Sequence, residues 1–376
     1  MYEELSASRT RRTVTATARL LRALRLDGML LAALVAVSAF GMFVLWSAVG
    51  NNTVLWINQL ARLGIGFAVM VALARVPDRF FRMLAPAAYA AGIALLVLVA
   101  FAGDVGKGAQ RWLDLGVIRF QPSEILKLAV PMMCAWYLYQ RPLPPSAGAV
   151  AVVLAVLAVP VLLIAEQPDL GTALLVAAAG LIVLVMAGLS WAWLLGGVAV
   201  LGAAVPVLWH FLHDYQRQRV LTLLDPQSDA LGAGYHIIQS QIAIGSGGVF
   251  GKGWTNGTQA QLEFLPERST DFIFAVIGEE LGLLGLLALL AGYLFIVGRS
   301  LYMATQCRDA YARLLAGSIA LTFFVYVFVN AGMVTGLLPV VGVPLPLVSY
   351  GGTSFVTLMA GFGILMSLYS SRKLVG

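Results

Sequence analysis

Charge is the first thing this sequence lacks. Only 11% of its 376 residues are Asp, Glu, Lys or Arg, against about 25% in a soluble domain. That excludes a string of soluble domains, although the length alone would allow two or three. Cysteine is almost absent as well. Cys134 and Cys307 are the two present, too few for a disulfide framework. The three histidines, His210, His213 and His236, lack metal-ligand spacing, so no metal site is expected. No fixed-period repeat or low-complexity tract stands out. No cleavable signal peptide is visible, because the first apolar run is too long and follows a basic segment. What abounds is hydrocarbon: 60% of the residues are hydrophobic, and the mean hydropathy is +0.88. These features mark an integral membrane protein. The net charge of +6 then reads as a topology signal rather than a sign of nucleic-acid binding.

A helix needs roughly 20 apolar residues to cross the hydrocarbon. That criterion places spans at about 28–49, 54–75, 84–102, 121–139, 147–165, 169–188, 191–212, 270–298, 312–334 and 349–370. The expected fold is an all-α polytopic bundle of about ten transmembrane helices, and an even count puts both termini on one side. Six arginines (9, 11, 12, 19, 22 and 25) precede the first span, and Arg372 and Lys373 follow the last. Loops on that side add Arg75, Arg79, Arg82, Arg141, Arg299, Arg308 and Arg313, which makes fifteen of the 24 basic residues. Both termini are therefore expected to be cytoplasmic. Of the 18 acids, only Glu3, Glu4, Asp27, Asp78 and Asp309 lie there; the other thirteen gather at or near the outer surface. Any chemistry faces outward.

The chain divides into a basic cytoplasmic segment, 1–27, one membrane domain, 28–371, and a cytoplasmic tail, 372–376. Two outer loops are large, 103–120 and 213–269, and long loops in compact proteins are usually functional. HIIQSQIAI, in the second, reads as an amphipathic stretch along the membrane surface. It runs into IGSGGVFGKGWTNGT, where Gly245, Gly247, Gly248, Gly251, Gly253 and Gly257 make a backbone able to aim N–H groups at phosphate. Lys252 adds a point charge. A nucleotide P-loop is excluded, since Ser246 and Gly253 occupy positions that need Gly and Ser or Thr. A merely flexible loop is the competing reading.

Asp271 follows Ser269 and Thr270, both good N-cap residues, which places it in the first turn of the eighth span. The helix dipole favours a carboxylate there. Such an acid can simply complete a helix start, or act at a half-dry lipid boundary as a general base for a hydroxyl. Phe274, Ala275, Gly278 and Gly282 share its face, and small residues at that spacing admit a close neighbour. Glu279 and Glu280 read as polar anchors inside the bundle. In QPSEILKLAVP, Pro122 suits a first helical position, and Glu124 and Lys127 share a face and can pair. Arg62 could snorkel outward or pair with an inner acid. Glu166, Gln167, Pro168 and Asp169 form a tight outer turn that starts the sixth helix. Arg111 and Trp112 sit at an outer interface, and Arg217 and Arg219 could hold a phosphate.

GAQRWLDLGVIRFQPSEILKLAVP, AEQPDLGTA, GYHIIQSQIAIGSGGVFGKGW, EFLPERSTDFIFAVIGEELG and PLPLVSYGGTS closely resemble the SEDS family of cell-wall polymerases, and its RodA elongation branch more than its division branch. The resemblance covers nearly all ten spans in order. It implies a peptidoglycan glycosyltransferase that uses lipid II, an undecaprenyl-diphosphate disaccharide pentapeptide, at the outer face of the inner membrane. The family's essential acid falls on Asp271, a further functional acid on Glu263, its intramembrane polar pair on Glu124 and Lys127, and its first-loop tryptophan on Trp112. Asp169 and Ser349 lie in two of the matching motifs and join the expected substrate-binding set with Arg111, Arg217, Arg219 and Lys252. One departure is Ser269, where the family often has histidine, so an acid–base role at that position is not carried over.

The resemblance also implies that Asp271 takes the proton from the acceptor 4-hydroxyl. Lys127, Arg217, Arg219, Arg111 and Lys252 would share the charge of the leaving diphosphate. A divalent cation could help, but no ligand motif is present and no cofactor is expected. The implied partners are a class B penicillin-binding transpeptidase, other elongation-complex membrane proteins and membrane lipids. Gly332-xxx-Gly336 offers a close-packing face for such a partner. A lipid II flippase and a non-catalytic scaffold for a penicillin-binding protein are the alternatives.

Overall fold

The computed structural model describes residues 21, 23–106, 109–114, 119–211, 214–229, 232–262 and 264–371. A long helix falls on each expected span: α1 (Gly28–Ala48), α2 (Thr53–Arg75), α3 (Asp78–Ala102), α4 (Pro122–Leu138), α5 (Ala147–Glu166), α6 (Leu170–Met186) and α7 (Trp191–Phe211). Then come α8 (Asp214–Leu224), α9 (Ala233–Gly247) and the short α10 (Thr258–Gln261), followed by α11 (Ile273–Thr305), α12 (Ala310–Val334) and α13 (Thr353–Ser370). Among the described residues, seven helices (α1, α2, α3, α5, α11, α12 and α13) are long and apolar enough to cross a membrane. α4 and α6 have 17 residues each, about 25 Å of helix against roughly 30 Å of hydrocarbon. The chain is a multi-pass membrane protein.

The caps explain several boundaries. Asp27 accepts from Leu30 N at 2.9 Å and opens α1, and Arg299 of α11 grips the same carboxylate at 2.6 Å. Asp309 opens α12 through Ala312 N at 2.8 Å and pairs with Arg82 of α3 at 3.3 Å. α3 begins at Asp78 rather than near 84. Pro77 sets its start, and the polar turn that follows is helical although it is not apolar. Pro122 takes the first position of α4, as expected. α12 lies at the centre, packed against α4, α6, α11 and α13, while α2 lies along α13. Both cysteines are free and buried. Burial pushes the loop thiol of Cys307 up to about 12, so it stays protonated.

The two long loops expected on the outer side are not plain loops. Segment 103–120 carries a small antiparallel sheet of β1 (Asp104–Gly106), β2 (Ala109–Asp114) and β3 (Arg119–Phe120), in that order, with Trp112 opposite Asp104. Segment 213–269 is mostly helical. The stretch expected along the membrane surface is α9, and it docks on α11. Ser240 Oγ donates to Val334 O at 2.7 Å, which ties α9 to the end of α12 as well. Gly332-xxx-Gly336 is also something other than a packing face. α12 ends at Val334, Gly336 is left-handed (φ 78°), and Leu337 N and Leu338 N donate back to Gly332 O at 2.8 and 3.0 Å. The motif is a helix stop.

The largest departure is in α11. Gly282 sits at φ 65°, ψ −161°, so the helix is broken after Leu281. The glycine-rich loop fills the break: Lys252 N and Gly253 N donate to Glu279 O and Glu280 O at 2.9 and 3.0 Å. Leu283 N and Leu284 N donate to Gly248 O and Val249 O at 3.0 and 3.2 Å. These four bonds satisfy backbone groups that the break would strand. A β-carbon on Gly282 would stand 2.3 Å from Gly251 N, and one on Gly251 would stand 2.1 Å from Glu280 O. The contact is backbone on backbone, and only glycine permits it.

Candidate active site

Asp271 precedes its helix instead of lying in the first turn. Residues 266–272 form turns, α11 starts at Ile273, and its cap position is Phe272, without a side-chain bond. The Thr270 hydroxyl does not cap the helix but donates to Glu267 O and Oε2 at 3.1 and 2.8 Å, and the carbonyls of Ser269 and Thr270 accept from a distant segment. Tyr350 N donates to Ser269 O at 2.8 Å, and Ser349 Oγ donates to Thr270 O. Fully buried Asn330 donates through one amide to both Asp271 O and Val343 O, at 2.8 and 2.7 Å. The backbone on each side of Asp271 is thus fixed by α12 and by the 343–350 segment. The half-buried side chain lies beside Gly342. A carboxylate held this way is pre-positioned to accept a proton.

Neighbours on the same turn support it. Arg268 donates to Ala48 O at 2.9 Å and to Ala260 O, tying the turn to the end of α1. Phe272 is buried and stacks on His236 of α9, with ring centres 5.4 Å apart and planes 19° from parallel. Burial pushes the His236 imidazole below the ordinary histidine value, against the opposing pull of Glu267 and Asp229.

Glu124 and Lys127 pair at 2.6 Å and are 5% and 7% exposed, so the expected pair is enclosed. The Lys127 ammonium also lies 5.5 Å from the Tyr326 ring centre. It borders a cavity of about 30 Å³ with Thr322, Tyr326 and Thr357, room for a water. Asp169 is the N-cap of α6, accepting from Thr172 N at 3.2 Å, and Gln121 holds its other oxygen at 2.8 Å. Arg111 donates to Gln167 O at 3.0 Å and to Pro168 O, and stands 3.9 Å from Asp169. Trp112 follows on β2, half-buried.

Several of the cations expected at phosphate hold protein oxygens in the fold. Arg217 donates to Trp209 O and His210 O at 3.0 and 2.9 Å, covering the last carbonyls of α7. Arg219 lies half-buried on α8. Lys252 bonds Glu279 at 2.7 Å and Thr258 at 2.8 Å. Glu279 also accepts from Gln259 N and Ala260 N at 3.0 and 3.3 Å, and Glu280 accepts from Ser47 Oγ at 2.5 Å. Both acids are anchors, as read from the sequence. Of the loop amides expected to cradle phosphate, Gly253 N is bonded into the α11 break beside Lys252 N. Glu263 lies outside the described residues.

Ser349 does reach the Asp271 turn, but as a backbone prop. Sequence reasoning missed Asn330, Gln121 and Gln59. Each is a buried amide, and Asn330 and Gln59 stand within apolar spans. A polar side chain at such a depth was the available signal. Among the described residues no three His, Cys, Asp or Glu side chains converge as a metal-binding group.

A family profile described as "Cell cycle protein", for FtsW, RodA and SpoVE, matches residues 21–374. The Escherichia coli K12 protein named peptidoglycan glycosyltransferase MrdB is 54% identical over 351 residues, covering 93% of this chain and 95% of that one. Among solved structures, a chain from work on the structural coordination of polymerization and crosslinking by a peptidoglycan synthase complex superposes with a TM-score of 0.81. It is 36% identical over 93% of this chain and 98% of its own length. The Thermus thermophilus rod shape determining protein RodA superposes with a TM-score of 0.71, at 31% identity, over 92% of this chain and 97% of its own.

Proposed function

This chain belongs to the FtsW, RodA and SpoVE family and is a peptidoglycan glycosyltransferase that serves cell shape, and we propose that it polymerises lipid II with Asp271 as the general base. Asp271 removes the proton from the 4-hydroxyl of the acceptor GlcNAc. That oxygen attacks C1 of the donor MurNAc in line and inverts the α-linkage to β-1,4. The C1–O bond breaks, and its electron pair leaves with undecaprenyl diphosphate. The observation that carries this reading is the half-buried Asp271 carboxylate on a turn fixed by Ser349, Tyr350 and Asn330. General base catalysis by a placed group contributes roughly 10²–10⁴-fold.

The fifteen basic residues expected on the terminal side favour cytoplasmic termini, which turns Asp271 to the outer face of the inner membrane. There the lipid tail can stay in the leaflet while the sugars meet water. Similarity to a chain from a peptidoglycan synthase complex supports a class B penicillin-binding transpeptidase as partner. Other elongation-complex membrane proteins would join them.

A transporter site lies near the midplane, commonly on broken helices. α11 is broken, but the backbone groups freed at Gly282 are bonded to Gly248–Gly253 rather than held open. Purified protein given lipid II in detergent separates the readings. Glycan strands that vanish in Asp271→Asn support the enzyme. No polymer from a monodisperse preparation contradicts it and favours a flippase or a scaffold.

A further inference from the structure

The transfer leaves a diphosphate whose growing charge needs a cation in a poorly hydrated place. Most of the cations expected for that task already hold protein oxygens. Lys127 holds Glu124, and Lys252 holds Glu279. Arg111 holds the Gln167 and Pro168 carbonyls, and Arg217 those of Trp209 and His210.

Arg62 differs. It lies on α2, half-buried, and its guanidinium carbon stands 4.5 Å from the Tyr350 ring centre. Its stem packs on Gly352. Among the described residues no carboxylate comes within ion-pair distance of it. A guanidinium stacked on a ring keeps its in-plane N–H donors available for an oxyanion. A cation within a span that lacks a counter-charge marks a ligand path more often than a structural contact.

The position is tied to Asp271. Gln59, one turn earlier on the same face, donates to Ser349 O at 3.3 Å and accepts from Gly351 N at 3.2 Å. Ser349 and Tyr350 bond in turn to Thr270 and Ser269. One hydrogen-bonded chain therefore links the helix that carries Arg62 to the turn that carries Asp271.

We propose that Arg62 binds the diphosphate of the polyprenyl-linked substrate and stabilises it as the sugar–oxygen bond breaks. Tyr350 seats the guanidinium, and Gln59 holds the segment that carries Tyr350. The identity of this ligand rests on the glycosyltransfer reading above.

The test is direct binding of undecaprenyl diphosphate to the full-length protein in detergent micelles, with undecaprenol and phosphatidylglycerol as further probes. Arg62→Gln and Arg62→Met, the latter suited to an apolar span, are each expected to raise Kd for undecaprenyl diphosphate about tenfold or more. Arg62→Lys is expected to lose less, and undecaprenol binding is expected to stay unchanged. An unchanged Kd in whichever neutral variant stays monodisperse overturns the proposal. So does an equal loss for undecaprenol, which would mean a damaged tail site. Phosphatidylglycerol competing as strongly as the diphosphate would make this a headgroup site and equally overturn it. Binding needs no turnover, so Asp271→Asn should bind like the wild type, and failure of the base leaves this result readable.

Discussion

Replacing Lys252 with Met would leave the Glu279 carboxylate in a place that water does not reach. Glu279 is 0% exposed. It would keep three neutral donors, Thr258 Oγ1, Gln259 N and Ala260 N, at 3.1, 3.0 and 3.3 Å. Removing one partner of a buried ion pair costs about 3–5 kcal/mol. The Lys252 side chain is 28% exposed, so water replaces part of the loss, and about 2–4 kcal/mol is expected. Glu279→Gln should be milder, about 1–2 kcal/mol, because it keeps an acceptor and leaves the ammonium near solvent. The double variant should melt above Lys252→Met alone, since no charge is then stranded. Thermal unfolding of the detergent-purified protein, followed by size exclusion, reads this order. At about 2–4 °C per kcal/mol, Lys252→Met should melt roughly 4–16 °C below the wild type. A midpoint within about 2 °C of the wild type, or a double variant worse than Lys252→Met, would refute the stranded-carboxylate argument.

Gly282→Ala should abolish a monodisperse preparation, because the β-carbon meets Gly251 N and Val249 O at 2.3 and 2.6 Å at a left-handed φ; a wild-type elution profile and midpoint would contradict the break described for α11. His236 gives a pH dependence. Its folded value is lowered by burial, so the unfolded chain takes up the proton first. The stability it contributes is whole above pH ~6.5 and is lost as pH falls through the lower folded value. The melting midpoint of the wild type should therefore fall more steeply below pH ~6.5 than that of His236→Gln; parallel curves would contradict this.

What was legible in the sequence was local. Ten apolar runs became ten helices, because a span must satisfy its own backbone and hydrophobic length shows that demand directly. Glu124 and Lys127 were readable as a pair since three residues along a helix bring them together. Much of the rest depends on bonds between distant segments. Ser269 and Thr270 have the chemistry of caps, but the Thr270 hydroxyl turns back to Glu267, and Tyr350 and Ser349, about eighty residues on, tie both carbonyls into the turn before the helix. The six glycines read as a phosphate cradle, yet the amides of Lys252 and Gly253 and the carbonyls of Gly248 and Val249 close the break in α11. A helical face in α9 was visible, whereas its partner, α11, was not. Arg217 and Lys252 looked available because spacing shows a cation and hides the oxygen that holds it.

Everything proposed for the reaction depends on the Asp271 carboxylate being the base for glycosyl transfer. The initial rate of glycan strand synthesis from lipid II by purified Asp271→Asn, against wild type matched for folding and lipid II binding, tests it most directly. A fall of about 10²–10⁴-fold with binding retained is the expected result. Strand synthesis by the amide variant at the wild-type rate would contradict it.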